Sequence, residues 1–100
     1  MRFDVYKMPA GGVAGYIVDV QADLLSEMPT RMVIPLLPEE KHPRVLKDLH
    51  PVFEIDTGRF VLVTHELASI PKRQLQRPVA SLAAYREQIT RALDILFTGF

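Results

Sequence analysis

Only one stretch of this chain can form a long helix, and that limits what the rest can be. From Ser81 to Phe100, Leu82, Tyr85, Ile89, Ala92, Leu93 and Leu96 recur at three- and four-residue spacing, the signature of one helix face. Glu87, Thr90, Arg91 and Asp94 fall on the other face, with Glu87 four residues before Arg91 in the favourable order. Ser81 is the expected N-cap, and Gly99 can take the left-handed conformation that closes a helix. The apolar stripe reads as core. Buried, it contributes roughly 10 kcal/mol gross, most of it offset by ordering entropy.

The helix tip departs from this pattern. Ile95 points off the stripe towards Arg91 and Asp94, Phe97 sits at its edge, and Phe100 lies beyond the cap. Apolar residues gathered at an exposed end mark a contact site. The commoner outcome is that a dimer partner or the sheet covers them.

Everything before the helix is short and strand-like. Arg2 to Lys7 alternates, with Phe3 and Val5 on one face and Asp4 and Tyr6 on the other. Met8 to Gly15 is a loop broken by Pro9 and three glycines. Strands are expected at Tyr16–Gln21 and Arg31–Leu37. Pro35 cannot donate to a ladder, which predicts an edge or a bulge for the second of these. Pro38 to His50 is charged and contains two prolines, which predicts a small excursion or hairpin on the surface. Pro51–Ile55, Asp56-Thr57-Gly58 and Arg59–Thr64 read as strand, tight turn, strand. Leu67–Pro71 is a further short strand, and Lys72–Pro78 a basic link. About five strands followed by one helix predict a single domain over residues 1–100, mainly β (α+β): a small antiparallel barrel or curled sheet with a C-terminal helix packed on it.

Composition bounds the function. Twelve basic and twelve acidic residues cancel, which argues against a broad nucleic-acid or membrane-surface footprint. Without cysteine there is no disulfide, thiolate metal site or cysteine nucleophile. No apolar run approaches the ~20 residues of a membrane span, and residues Met1 to Asp4 lack a signal-peptide character. A cytoplasmic protein is the expectation. A chain of 100 residues buries a modest core, so homodimerisation is expected to add stability.

Candidate chemistry is thin. His65-Glu66 with His50 and Asp56 fits no zinc spacing, and these histidines read as surface or loop residues. Asp19 stands inside an apolar strand, where a carboxylate needs partners; Arg31 or the backbone could serve. No phosphate loop or Ser–His–Asp context appears. The residues describe a binding protein with no catalytic residue, cofactor or metal.

Whole segments resemble the CcdB family, the toxins of bacterial CcdA/CcdB toxin–antitoxin modules. Met1-Arg2-Phe3-Asp4-Val5-Tyr6, Val18-Asp19-Val20-Gln21-Ala22-Asp23, Arg31-Met32-Val33-Ile34-Pro35-Leu36 and Leu67-Ala68-Ser69-Ile70-Pro71 occur in the family's order, and the length and terminal helix match. The resemblance implies an SH3-like antiparallel barrel with a small extra sheet in its middle region and a C-terminal helix. It implies a homodimer that wedges into the A subunits of DNA gyrase and traps the cleaved-DNA complex without covalent chemistry. A CcdA-like antitoxin would wrap the dimer with a disordered segment and free gyrase. DNA would be met only through antitoxin or gyrase, and no membrane is involved.

Carried over by position, the gyrase-facing residues are Arg2, Phe3, Tyr6, Ala22, Leu24, Asp94, Thr98, Gly99 and Phe100, and the exposed Ile95 joins them. The family's best-known ending is Trp-Gly-Ile, and its Trp stacks on gyrase. This chain ends Thr98-Gly99-Phe100 and has no Trp. Asp94 stands where the family has an amide, and Arg2 where it has Gln. Two other readings are a MazF-like endoribonuclease toxin on the same scaffold, and a non-toxic module that retains only antitoxin binding.

Overall fold

In the computed structural model, which describes residues 1–9, 15–42, 44 and 46–100, the strand-like segments pair into one seven-stranded antiparallel sheet. The strands are β1 (Asp4–Lys7), β2 (Tyr16–Asp19), β3 (Thr30–Pro38), β4 (Val52–Ile55), β5 (Gly58–Leu62), β6 (Ala68–Pro71) and β7 (Ala80–Ser81), followed by the helix α1 (Arg86–Thr98). Their order is β4-β5-β3-β2-β1-β7, with β6 also pairing β3. The fold is the expected mainly β near-barrel with a C-terminal helix, built on seven strands where about five were expected. The expected loop over Met8–Gly15 falls largely on residues 10–14, and the Pro38–His50 excursion includes residues 43 and 45; these lie outside the described residues.

β3 is the frame. One of its edges pairs β2 through Val33–Leu36. The other edge is shared: Thr30–Val33 pairs β6, and Leu36–Pro38 pairs β5. Pro35 falls at the changeover. It is therefore neither on an edge strand nor in a bulge, as the sequence had suggested. Its carbonyl accepts from Val63 N–H at 2.9 Å on the β5 side. The proline nitrogen faces the same side, in the gap between partners, so no ladder bond is lost. Two partners on one edge also force the sheet to curl.

The β4–β5 hairpin closes on a two-residue loop, Asp56–Thr57, with Ile55 opposite Gly58. Asp56 takes the left-handed conformation there, at φ 55°. The hairpin joins the main sheet through β5 and β3, so it forms no separate middle sheet of the kind the resemblance implied.

Alternation decides what is inside. Val5, Val18, Ile34, Leu36, Phe53, Ile55 and Leu62 point to one face, and the helix lays Ile89 and Ala92 on them. Ile34, Leu36, Leu62 and Ile89 are fully buried, at about 1.5–3 kcal/mol each. The opposite face carries two smaller clusters, Tyr6–Ile17–Val33 and Leu37–Val61–Val63.

The helix begins later than its periodicity predicts. Ser81 pairs with Asp4 in β7, and Leu82 N–H donates to Phe3 O at 2.8 Å, continuing the strand pairing. Ser81 Oγ accepts from Ala83 N–H at 3.2 Å, just ahead of the short 3-10 turn Ala83–Tyr85, so Ser81 is not the N-cap of the helix. Tyr85 lies on that turn, 47 % exposed and tilted against Phe53, and so drops out of the buried stripe. Gly99 closes the helix as expected, at φ 84° with its N–H on Ile95 O.

Candidate functional site

The residues of the implied contact fall into two groups. The first surrounds the N-terminal turn. Asp4 N–H donates to Met1 O, closing a turn over Arg2 and Phe3. Phe3 sits at φ 72°, a position such turns reserve for glycine. Its ring is buried in the main core, and that burial opposes the strain. Arg2 is pinned beside it: its N–H donates to Asp23 Oδ1 at 2.9 Å, its Nε to Val20 O at 3.0 Å, and its guanidinium lies 4.6 Å over the Phe3 ring. Asp23 opens the 3-10 turn Asp23–Leu25, which leaves Leu24 91 % exposed.

That connection is held by its neighbours. Gln21 Nε2 donates to Leu25 O, Arg31 Nη2 to Ser26 O, and Lys72 Nζ to Ser26 O. Leu24 is thus an apolar side chain displayed on a braced turn. Ala22 is exposed beside it.

The second group is the helix tip. Thr98 Oγ1 donates to Asp94 O at 2.6 Å, so its hydroxyl is used within the helix. Phe97 is 69 % and Phe100 88 % exposed. Ile95, Gly99 and Phe100 line a 530 Å³ groove whose far wall is Leu46 and Leu49. That wall is fixed by Thr64 Oγ1, which donates to Leu49 O at 2.6 Å.

Phe3 and Tyr6 are both buried, and Ile95, expected to be exposed, is half-buried like Arg2, whereas Ala22, Leu24, Asp94, Thr98, Gly99 and Phe100 are exposed. Burial, then the charges of Asp4 and Asp19, push the Tyr6 phenol above its ordinary range, which keeps it neutral. No hydrogen bond or ion pair among the described residues links the N-terminal group to the tip.

The strand carboxylate is paired as its setting demands. Asp19 is fully buried, accepts from Gln21 N–H at 3.0 Å, and meets Arg31 Nη1 at 3.3 Å. Burial raises its pKa in spite of these donors. Arg31 Nε is buried without a partner.

His65 is an exposed residue on the 3-10 turn Thr64–Glu66, as the sequence suggested, but His50 is not on the surface. His50 is buried, and its Nε2 lies 3.0 Å from His65 Nδ1. Its Nδ1 accepts from Leu46 N–H at 3.2 Å, which fixes the tautomer: Nε2 carries the proton and donates to His65. The signal was weak but present, a His-Pro step leading directly into an apolar strand. Asp56 lies elsewhere, accepting from Tyr16 Oη at 3.5 Å. Among the described residues no group of three or more side chains is placed to hold a metal, and no helix is long and apolar enough to cross a membrane.

The family model described as CcdB protein matches residues 2–99. With the near-barrel, the C-terminal helix and that match over nearly its whole length, the chain belongs to the CcdB family, toxins of toxin–antitoxin pairs.

Proposed function

We propose that this chain is a homodimeric toxin that binds the A subunit of DNA gyrase and traps the cleaved-DNA complex, and that a CcdA-like antitoxin neutralises it in the cytoplasm. It acts by binding and performs no covalent chemistry. The observation that carries the reading is the helix tip. A helix rooted in the core by Ile89 and Ala92 ends on Phe97 and Phe100, both displayed to solvent next to Asp94. Large exposed apolar side chains on a rigid base are the usual anchors of an interface. Leu24 and Arg2 supply a second braced patch, and a dimer would carry each patch twice. Phe100 serves as the aromatic anchor where the family ending carries Trp two residues earlier.

The test is gyrase, supercoiled plasmid and ATP with purified protein. Linear DNA should accumulate on denaturation with detergent, and a CcdA-like peptide should abolish it. Deleting Thr98 to Phe100 removes no buried side chain, so folding should change by about 0.5 kcal/mol or less while trapping is lost. A truncated protein that still traps gyrase, or a folded wild type that never does, would overturn the reading.

A further inference from the structure

The sheet face opposite α1 carries the Tyr6–Ile17–Val33 cluster, with Met8, Ile70 and Leu75 packed against it. No helix covers this face, because α1 lies on the other one. The basic link crosses it instead, and both its ends are tied down. Lys72 N–H donates to Pro29 O at 2.8 Å and Lys72 Nζ to Ser26 O at 2.9 Å, while Val79 N–H donates to Val5 O at 2.8 Å. Between this span and the sheet runs a 590 Å³ groove floored by Ile17, Val33, Pro35 and Ile70. Its volume lies within the ~300–1,000 Å³ of small-ligand sites. The groove continues into a 330 Å³ hollow, with Gln74 and Gln76 lining both.

The charge around it is of one sign. Arg73 lines the groove, Lys7 and Arg77 line the hollow, and no carboxylate lines either. All three cations are exposed, and none has an acidic partner among the described residues. The basic link was the one charged stretch of the sequence that the gyrase reading left without a role.

From this arrangement we propose that groove and hollow bind a single-chain anionic amphiphile, a medium-chain fatty acid, with its carboxylate on Lys7 and Arg77 and its alkyl chain along Ile17, Val33 and Ile70. The floor is made of side chains on a sheet face, so a peptide laid there finds no ladder partner for its N–H and C=O groups. An alkyl chain has no such groups to satisfy. No aromatic ring lines the groove or the hollow, so a nucleic-acid strand finds no platform for its bases. A membrane surface is met by protruding apolar side chains. Here they are recessed: Ile17 and Val33 are buried, Pro35 and Ile70 half-buried. The lining shares no residue with the proposed gyrase contact.

Calorimetric titration with octanoate, decanoate and dodecanoate, each below its micelle concentration, tests this. Every added methylene should tighten binding about twofold to fourfold. Decanoate should raise the melting temperature, as a ligand of the native state does. Lys7→Gln/Arg77→Gln should weaken decanoate about fivefold or more and leave uncharged decan-1-ol unchanged. Ile70→Ala should weaken acid and alcohol alike. Arg86→Gln, on α1 behind the sheet, should change neither. Affinity indifferent to chain length, a double variant that binds decanoate as the wild type does, or a melting temperature lowered by decanoate would each overturn the proposal. So would protein that sediments with phosphatidylglycerol vesicles yet ignores free decanoate. Gyrase trapping is an independent readout: Lys7→Gln/Arg77→Gln should leave it intact, so loss of fatty-acid binding and failure of the gyrase reading are separable.

Discussion

Two polar pairs reach into the interior of this small domain, one buried on both sides and one only at His50, and they meet burial in opposite ways. Asp19 and Arg31 are kept as charges on neighbouring strands. Burial pushes the pKa of His50 down, and its Nε2–H donates to the exposed His65 Nδ1. A buried charge needs several donors, and Asp19 has Gln21 N–H and Arg31 Nη1. Its carboxyl is still pushed upward, so the donors do not fully offset burial. The histidine pair avoids that cost. Leu46 N–H occupies His50 Nδ1, His50 Nε2–H occupies His65 Nδ1, and protonating either ring puts two donors face to face. The first pair is fragile to losing a partner, the second to gaining a proton.

The largest expected effect follows from the first half of that contrast. Asp19→Ala leaves Arg31 buried with no counter-charge and one nitrogen already unpartnered. Breaking a buried ion pair from one side costs about 3–5 kcal/mol. In a domain of this size that lowers the melting temperature by more than ~10 °C. Asp19→Asn/Arg31→Leu removes both charges and should recover most of the loss. A thermal melt in which Asp19→Ala stays within a few degrees of wild type would erase the distinction between the pairs.

The two pairs also differ in how far the sequence could see them. Asp19 faces Val33 across β2 and β3, so Arg31 is its diagonal neighbour on the same sheet face. Strand periodicity alone suggests that partnership. His50 and His65 meet only because the hairpin between them folds back, and nothing local to either marks the contact. The same distinction runs through the fold. The hairpin was legible because its turn is local. The late start of α1 was not: β7 exists because β1 is there to pair with Asp4 and Val5. The missing donor of Pro35 points to an edge or a bulge, but its harmlessness depends on two strands dividing one edge of β3. The implied contact was half legible. Helix phase placed Ile95, Phe97 and Phe100 outside the core, whereas the opposing wall of Leu46 and Leu49 comes from a segment far away in sequence. Phe3 and Tyr6, carried over by position, are buried by the turn and by the second face of the sheet.

A middle-sized effect sharpens the second half of the contrast. His50→Phe removes the partner of Leu46 N–H and of His65 Nδ1, both on exposed residues that water can reach, which costs about 0.5–1.5 kcal/mol at ~pH 8. The pH dependence should flatten at the same time. Burial, with the charges of His65 and Arg44, holds the folded pKa of His50 below its ordinary 6.5. Stability from this group is therefore fully present above 6.5 and is lost as pH falls from there towards the folded pKa, at no more than ~1.4 kcal/mol per pH unit. Asp19 has the reverse sign. Its folded pKa lies above 3.8, so acidification through that folded value relieves its burial and adds stability down to 3.8. Denaturant midpoints across this range should fall on the mildly acidic side of neutral in the wild type and stay level in His50→Phe. An equal fall in both proteins would assign the slope to other groups.

The smallest effect comes from a pair that burial does not touch. Arg91 Nη2 and Asp48 Oδ2 are 3.3 Å apart, as Arg31 and Asp19 are, but their side chains are 64 % and 57 % exposed. At equal distance, the comparison isolates the surroundings. In water the attraction is weakened, both side chains lose rotamer freedom to meet, and salt screens what remains. Asp48→Asn should therefore change stability by about 0.5 kcal/mol or less. Repeating the melts at high salt checks the same point, because the small Asp48→Asn difference should shrink while the Asp19→Ala loss persists. A loss of several kcal/mol in Asp48→Asn would make the exposed bridge structural.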